Sequence, residues 1–225
     1  MDERTPKYMI HACPSREWYV NDFLIPSMIE QGIPREDIEV WMDRNGDGCL
    51  MSCMNAFAEC GNRDDGGGRW HLQDDVVLSH YFRTATTQND DGIVCGYVFR
   101  NWQALPVWDG TVPGSYLWNS FPCIRIPDKI AGECAEWFFA DAAYRDEYQH
   151  WIQKRKGDDT VFFDFFMENY ADKMFVVGLN PCIVDHIDYL IGGSVVNKDR
   201  GAQTRALFWD DHGEIDALKY KLAHR

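Results

Sequence analysis

The sequence predicts an α/β fold, a single domain on a central, mostly parallel twisted sheet flanked by helices. Three observations carry that expectation. The chain opens strand, helix, strand between Lys7 and Met42, which is how a parallel doubly wound sheet begins. Apolar runs of strand length recur at 69–73, 92–99, 123–127 and 173–178, with helical periodicity between them. The 225 residues, 45% hydrophobic and 26% charged, also suffice for one sizeable core.

Taken in order, Lys7 to Cys13 reads as a buried first strand stopped by Pro14. Ser15 is placed to cap a helix running to about Gln31, with Trp18, Phe23, Leu24, Met28 and Ile29 inward, Pro26 kinking it and Gly32 closing it. Ile38 to Met42 is the second strand. The stretch Asp43-Arg44-Asn45-Gly46-Asp47-Gly48 has the alternating acids and amides that open an EF-hand loop. Its twelfth place is Met54, where a bidentate Glu belongs, and a strand precedes it instead of a helix. A turn rich in Asn, Asp and Gly, with Asp43 at the ligand edge of the sheet, accounts for the same residues.

A helix over 50–60 comes next, then a flexible loop whose Gly66, Gly67 and Gly68 lack the Lys and Ser/Thr of a phosphate-binding loop. The third strand ends at Asp74-Asp75, and a helix from about Val76 to Thr86 is expected after it. Beyond the strand at 92–99, Trp102, Trp108, Tyr116, Trp118 and Phe121 are interspersed with Pro106, Gly110, Pro113 and Gly114. Irregular backbone studded with aromatics is costly to order unless it packs as a lid, a second small cluster or a binding wall for flat ligands. Cys123 to Pro127 is a strand entering a helix that ends at Lys154-Arg155-Lys156-Gly157, cations suited to a helix C-terminus. Asp158-Asp159 heads another amphipathic helix, and a strand at 173–178 leads to Asn180 through Ile187.

A net charge of −14 argues against a general nucleic-acid-binding face, which needs clustered Lys and Arg. No apolar run approaches the roughly 18 residues of a membrane span, and residues 1–6 lack the shape of a signal peptide, so a soluble cytoplasmic protein is expected. The 8 cysteines are scattered through apolar segments without a CxxC pair, which predicts buried reduced thiols and disfavours a structural zinc site.

The functional expectation centres on Asp74-Asp75. A strand that stops at two acids presents both carboxylates at its carboxyl end, where open α/β sheets bind ligands. Hard oxygen donors suit Mg²⁺ or Mn²⁺ shared with substrate phosphates. The same acids could instead cap the helix expected after them.

In the order of its features the chain resembles glycosyltransferases of the Rossmann-type GT-A fold, over most of residues 7 to 197. The resemblance rests on "YMIHACPSREW", "VWMD", "LQDDVVLS", "SFPCIRIP", "KGDDTVFFDFF" and "NPCIVDHIDYLIGGS". It implies a donor part over about 7–99, an acceptor and catalytic part over about 100–197, and a loop and tail over 198–225. Gln73-Asp74-Asp75 stands in place of the family's DxD motif, as in its EDD variants. The resemblance makes Asp75, Asp74 and His186 the ligands of Mn²⁺ or Mg²⁺, and gives His11, Ala12, Asp43, Arg63, Asp74, Lys198 and Arg200 to a nucleotide-sugar donor, a UDP-sugar foremost. Asp159, or its neighbour Asp158, becomes the catalytic base of an inverting transfer. The acceptor hydroxyl belongs to a glycan, a protein or, in a phage-like setting within the host cytoplasm, a hydroxymethylated DNA base. That acceptor is expected on Trp102, Trp108, Tyr116, Trp118 and Asn119. A nucleotidyltransferase with paired carboxylates and a non-catalytic nucleotide-sugar-binding module are the competing classes.

Overall fold

The structure, a computed structural model, describes residues 7–63, 66–98, 121–140, 157–174, 176–192, 206, 209 and 211–224. Strand β1 (Lys7–Ala12) leads into a continuous helical stretch, α1: a 3-10 turn over Pro14–Arg16, α over Glu17–Tyr19, π over Val20–Leu24 and α over Ile25–Glu30. The π turn answers Pro26, which has no N–H to donate and whose ring crowds the carbonyl four residues back. The extra residue in that turn rotates the rest of the helix, leaving Ile29 45% exposed where regular periodicity turns it inward. Ser15 makes no cap; its hydroxyl lies 3.1 Å from the Cys13 thiol. Gly32 closes the stretch at φ 83°.

Next come β2 (Ile38–Met42), α2 (Cys49–Asn62) and β3 (Gly68–Gln73). The expected helix from Val76 is first a strand, β4 (Val76–Leu78), and only then a helix, α3 (Phe82–Gln88). Val76, Val77 and Leu78 are all buried, and an unbroken apolar run bounded by acids and a serine suits a strand covered on both sides. The remaining elements are β5 (Ile93–Cys95), β6 (Cys123–Pro127), α4 (Asp128–Ala140), α5 (Asp158–Asn169), β7 (Val176–Gly178), β8 (Val184–His186) and α6 (His212–Ala223). Helix α6 lies in the tail, where the polar sequence announces no element.

The main sheet runs β2-β1-β3-β6-β5-β7. Pairings β1 with β2, β1 with β3 and β5 with β7 are parallel, and β6 is antiparallel to both its neighbours. Alternate residues feed two cores, as the two-residue pleat requires. Tyr8, Ile10, Trp70 and Leu72 face a layer with α1, α3 and α6, while Met9, Ile93, Ile124 and Ile126 face α2, α4 and α5. The architecture is thus a mixed, mostly parallel sheet with helices on both faces. Among the described residues no helix is long and apolar enough to cross a membrane.

Helices α2 and α4 touch at Gly61 and Gly132, where a Cβ on either would lie 2.5 or 2.6 Å from the other's Cα. Backbone on both sides leaves nothing flexible to move aside. Gly61→Ala is expected to cost about 1–3 kcal/mol through overpacking, read as a lower urea midpoint at unchanged slope.

Six of the free cysteines are buried, as expected, but Cys13 is half-buried and Cys49 exposed.

Candidate active site at the carboxyl ends of the strands

From β1 the chain passes to β2 on one side and then to β3 on the other, so a topological switch point falls between β1 and β3. The Asp74-Asp75 turn sits at that crevice. Asp74 Oδ2 accepts the backbone N–H of Cys13 at 2.8 Å and Oδ1 accepts Arg16 Nη1 at 2.9 Å. The same Arg16 nitrogen donates to Asp75 Oδ2, so one guanidinium bridges the two acids. His186 Nε2 lies 3.0 Å from that Asp75 oxygen, and its Nδ1 lies 3.6 Å from Asp188 Oδ1. The two-stranded β4–β8 sheet makes this meeting: Val76 is registered opposite His186, and Ile187 donates its N–H to the Asp75 carbonyl at 2.8 Å.

The acids do not stand on an open strand end as the sequence suggests; they are 7% and 6% exposed beneath Arg16. Burial by itself would raise Asp75, but His186 and Arg16 outweigh it and hold the carboxyl at about 2. Burial and the Asp75 charge raise Asp74 against the pull of Arg16. Burial would lower His186, yet Asp75 and Asp188 prevail and raise it. Arg16 is the residue that sequence reasoning passed over. Its signal was present: it is the one Lys or Arg between Lys7 and Arg35, three residues after a buried strand.

Two carboxylates and an imidazole are donors that suit Mg²⁺ or Mn²⁺. Asp75 Oδ1 is buried without a hydrogen-bond partner, an acceptor left for a cation. Among the described residues no group of three or more His, Cys, Asp or Glu side chains could hold a metal by itself. Asp74, Asp75 and His186 are the side chains that would hold such an ion, with substrate phosphate supplying further oxygens.

The second constellation is at the start of α5. Gly157 is the N-cap residue, so neither acid takes that position. Asp159 turns its Oδ1 onto the N–H of Thr160 at 2.8 Å. Asp158, 7% exposed, instead receives the Cys49 thiol at Oδ2, 3.4 Å away. Burial raises the Asp158 carboxyl, with the two thiols of Cys49 and Cys53 and the amides of the first turn pulling the other way. Burial first, and then the charges of Asp158, Asp159 and Asp74, raise the Cys49 thiol.

Other expected donor contacts lie elsewhere. Arg63 stands just past the C-terminus of α2, at the opposite edge of the sheet from Asp74, and forks onto Glu39 at 2.6 and 2.7 Å. His11 packs its ring against Phe57 and bonds His71 Nδ1 at 2.9 Å; burial lowers it to about 4, so it is neutral at physiological pH. Asp43 spends its carboxylate on the N–H groups of Asp47 and Gly48, both at 2.9 Å, which makes its loop a self-closed turn. Ala12 does end β1 at the crevice, its carbonyl taken by the Asp43 N–H at 2.9 Å. The expected residues Trp102, Trp108, Tyr116, Trp118, Asn119, Lys198 and Arg200 lie outside the described residues.

The tail is tied to this site at two points. Asp185, fully buried beside His186, accepts the N–H of Ala206 at 2.8 Å, and Asp211 accepts from His80, just beyond β4.

No family model matches the chain, and no curated protein matches it. Among solved structures it is similar to A197 from STIV, at 17% identity and a TM-score of 0.46 over 82% of this chain and 86% of that one.

Proposed function

We propose that the chain is a metal-dependent glycosyltransferase of the GT-A type, moving a sugar from a nucleoside-diphosphate donor, a UDP-sugar foremost, to an acceptor hydroxyl with inversion. The observation that carries this reading is the meeting of Asp75 and His186, distant in sequence, at the switch point of the sheet. A cation-dependent donor site and an acid able to take a proton are the two parts such a transfer needs.

Asp75 and His186 would hold Mn²⁺ or Mg²⁺, with Asp74 beside them; when bound, the ion neutralises the departing diphosphate. Arg16, now bonded to both acids, would add a second positive charge for the diphosphate. Lys198 and Arg200 would bind the diphosphate of the donor. Asp158 takes the proton of the acceptor hydroxyl, since burial raises its affinity for a proton. The acceptor stacks on the aromatic stretch of Trp102, Trp108, Tyr116 and Trp118, with Asn119 hydrogen-bonding its hydroxyls.

Calorimetry with UDP-sugars, with and without Mn²⁺, tests the reading, together with a search for slow donor hydrolysis. Mn²⁺-dependent binding and hydrolysis are expected, and both should vanish in Asp75→Asn, which keeps the side-chain volume but not the charge. Binding without hydrolysis or transfer would identify a non-catalytic module, and turnover of nucleoside triphosphates alone a nucleotidyltransferase.

A further inference from the structure

We infer that Cys49 is a positioning residue for Asp158: its thiol, delivered by the turn between β2 and α2, fixes the carboxylate and sets its affinity for the proton. This rests on the reading of Asp158 as the base.

The turn is built to place that thiol. The Asp43 carboxylate gathers the N–H groups of Asp47 and Gly48, and Gly46 and Gly48 adopt φ of 72° and 86°, a region that L side chains rarely enter. The motif that imitates a calcium loop thereby fixes the first residue of α2, which is Cys49. Although the residue as a whole is exposed, its Sγ is turned onto Asp158 Oδ2 at 3.4 Å. Cys53, one helical turn on, bears on the same carboxylate. Among the described residues, the groups that bear most on Asp158 are thus Cys49 and Cys53 from α2 and the amides of Asp158 and Asp159 from its own first turn.

Two effects oppose each other at this carboxylate. Burial makes it a stronger base but threatens to leave it protonated and useless at neutral pH. A thiol that donates to the charged form restores ionisation without placing a competing cation beside the proton's path. Burial first, and the nearby carboxylates second, raise Cys49 far above the ordinary thiol range, so it keeps the proton it donates.

The test uses the full chain with aspartate labelled at its carboxyl carbon, the Asp158 signal being assigned by its loss in Asp158→Asn. In Cys49→Ala the Asp158 titration midpoint is expected to rise by about one pH unit, roughly tenfold in proton affinity. Cys49→Ser, still a donor, should return it most of the way. An unchanged midpoint in Cys49→Ala overturns the inference, as does equal behaviour of the Ala and Ser variants. Should Cys49→Ala fail to fold, the infrared S–H band decides: its hydrogen-bonded component must be lost in Asp158→Ala, which removes the acceptor, and its persistence there overturns the inference. Where donor hydrolysis exists, its acid limb should move with the midpoint; a shifted midpoint in a chain that never hydrolyses donor refutes the glycosyltransferase reading and leaves the thiol–carboxylate coupling standing.

Discussion

Replacing Arg16 by Met is expected to destabilise the protein by about 3–5 kcal/mol, the usual result of removing one partner from a buried ionic cluster. The guanidinium is 5% exposed and bridges Asp74 and Asp75, themselves buried. Without it the two carboxylates face each other, and among the described residues the His186 imidazole reaches Asp75 alone of the two. Met fills much the same volume, so the loss reports charge and not a cavity. Urea unfolding of both proteins measures it, and a difference below about 1 kcal/mol, the range of a surface pair, would sink the account.

The pH dependence has a definite sign. Asp75 is held at about 2, below its unfolded value of 3.8, so its contribution is present above the unfolded value and lost as pH falls through about 2. In Arg16→Met the acids become harder to ionise when folded, so the variant gains stability as they protonate. The gap between the two proteins should therefore close between about pH 4 and 2. His186 works on the other side. Its folded value is raised, so its contribution is full below 6.5 and lost as pH rises through the folded value. Unfolding free energy should accordingly decline on the alkaline side in the wild type.

Much of the frame was legible because it depends on local signals. The strands at Lys7–Ala12, Ile38–Met42, Gly68–Gln73 and Cys123–Pro127 stand where apolar runs end at Pro, Asp or Gly. Direction was not legible: nothing within Cys123–Pro127 says that it runs against its neighbours, because orientation is fixed by the route of the intervening chain. Val76–Leu78 shows the limit of periodicity. A short apolar run fits a buried strand as well as a helix, and the partner that decides, Val184–His186, is far away in sequence. The site divides in the same way. The pairing of Asp75 with His186 was reached through family resemblance. The burial of the acids was not foreseen, since it is caused by Arg16, a residue on another element. The contact of Asp158 with a thiol had no sequence signal either, because its partner Cys49 lies more than a hundred residues upstream.

The largest expected effect on activity belongs to Asp158→Asn. If Asp158 takes the acceptor proton, the amide should lower turnover by about two to four powers of ten, while donor and Mn²⁺ affinity change little, since only the transition state needs the base. The fold should tolerate the change. Asn keeps the shape and can still accept the Cys49 thiol through its carbonyl oxygen, and no salt bridge among the described residues is broken. Asp159→Asn is the control. Its carboxylate serves the Thr160 N–H, so its loss should cost no more than about 1 kcal/mol of helix-start stability and leave turnover within a few-fold. Measuring turnover, donor affinity and urea midpoint on both variants separates the alternatives. A fall in turnover in Asp159→Asn with none in Asp158→Asn would return the base to Asp159. Loss of donor affinity in step with turnover in Asp158→Asn would instead make that acid part of the donor site, because a group that acts only on the acceptor proton cannot weaken a ligand bound before the acceptor arrives.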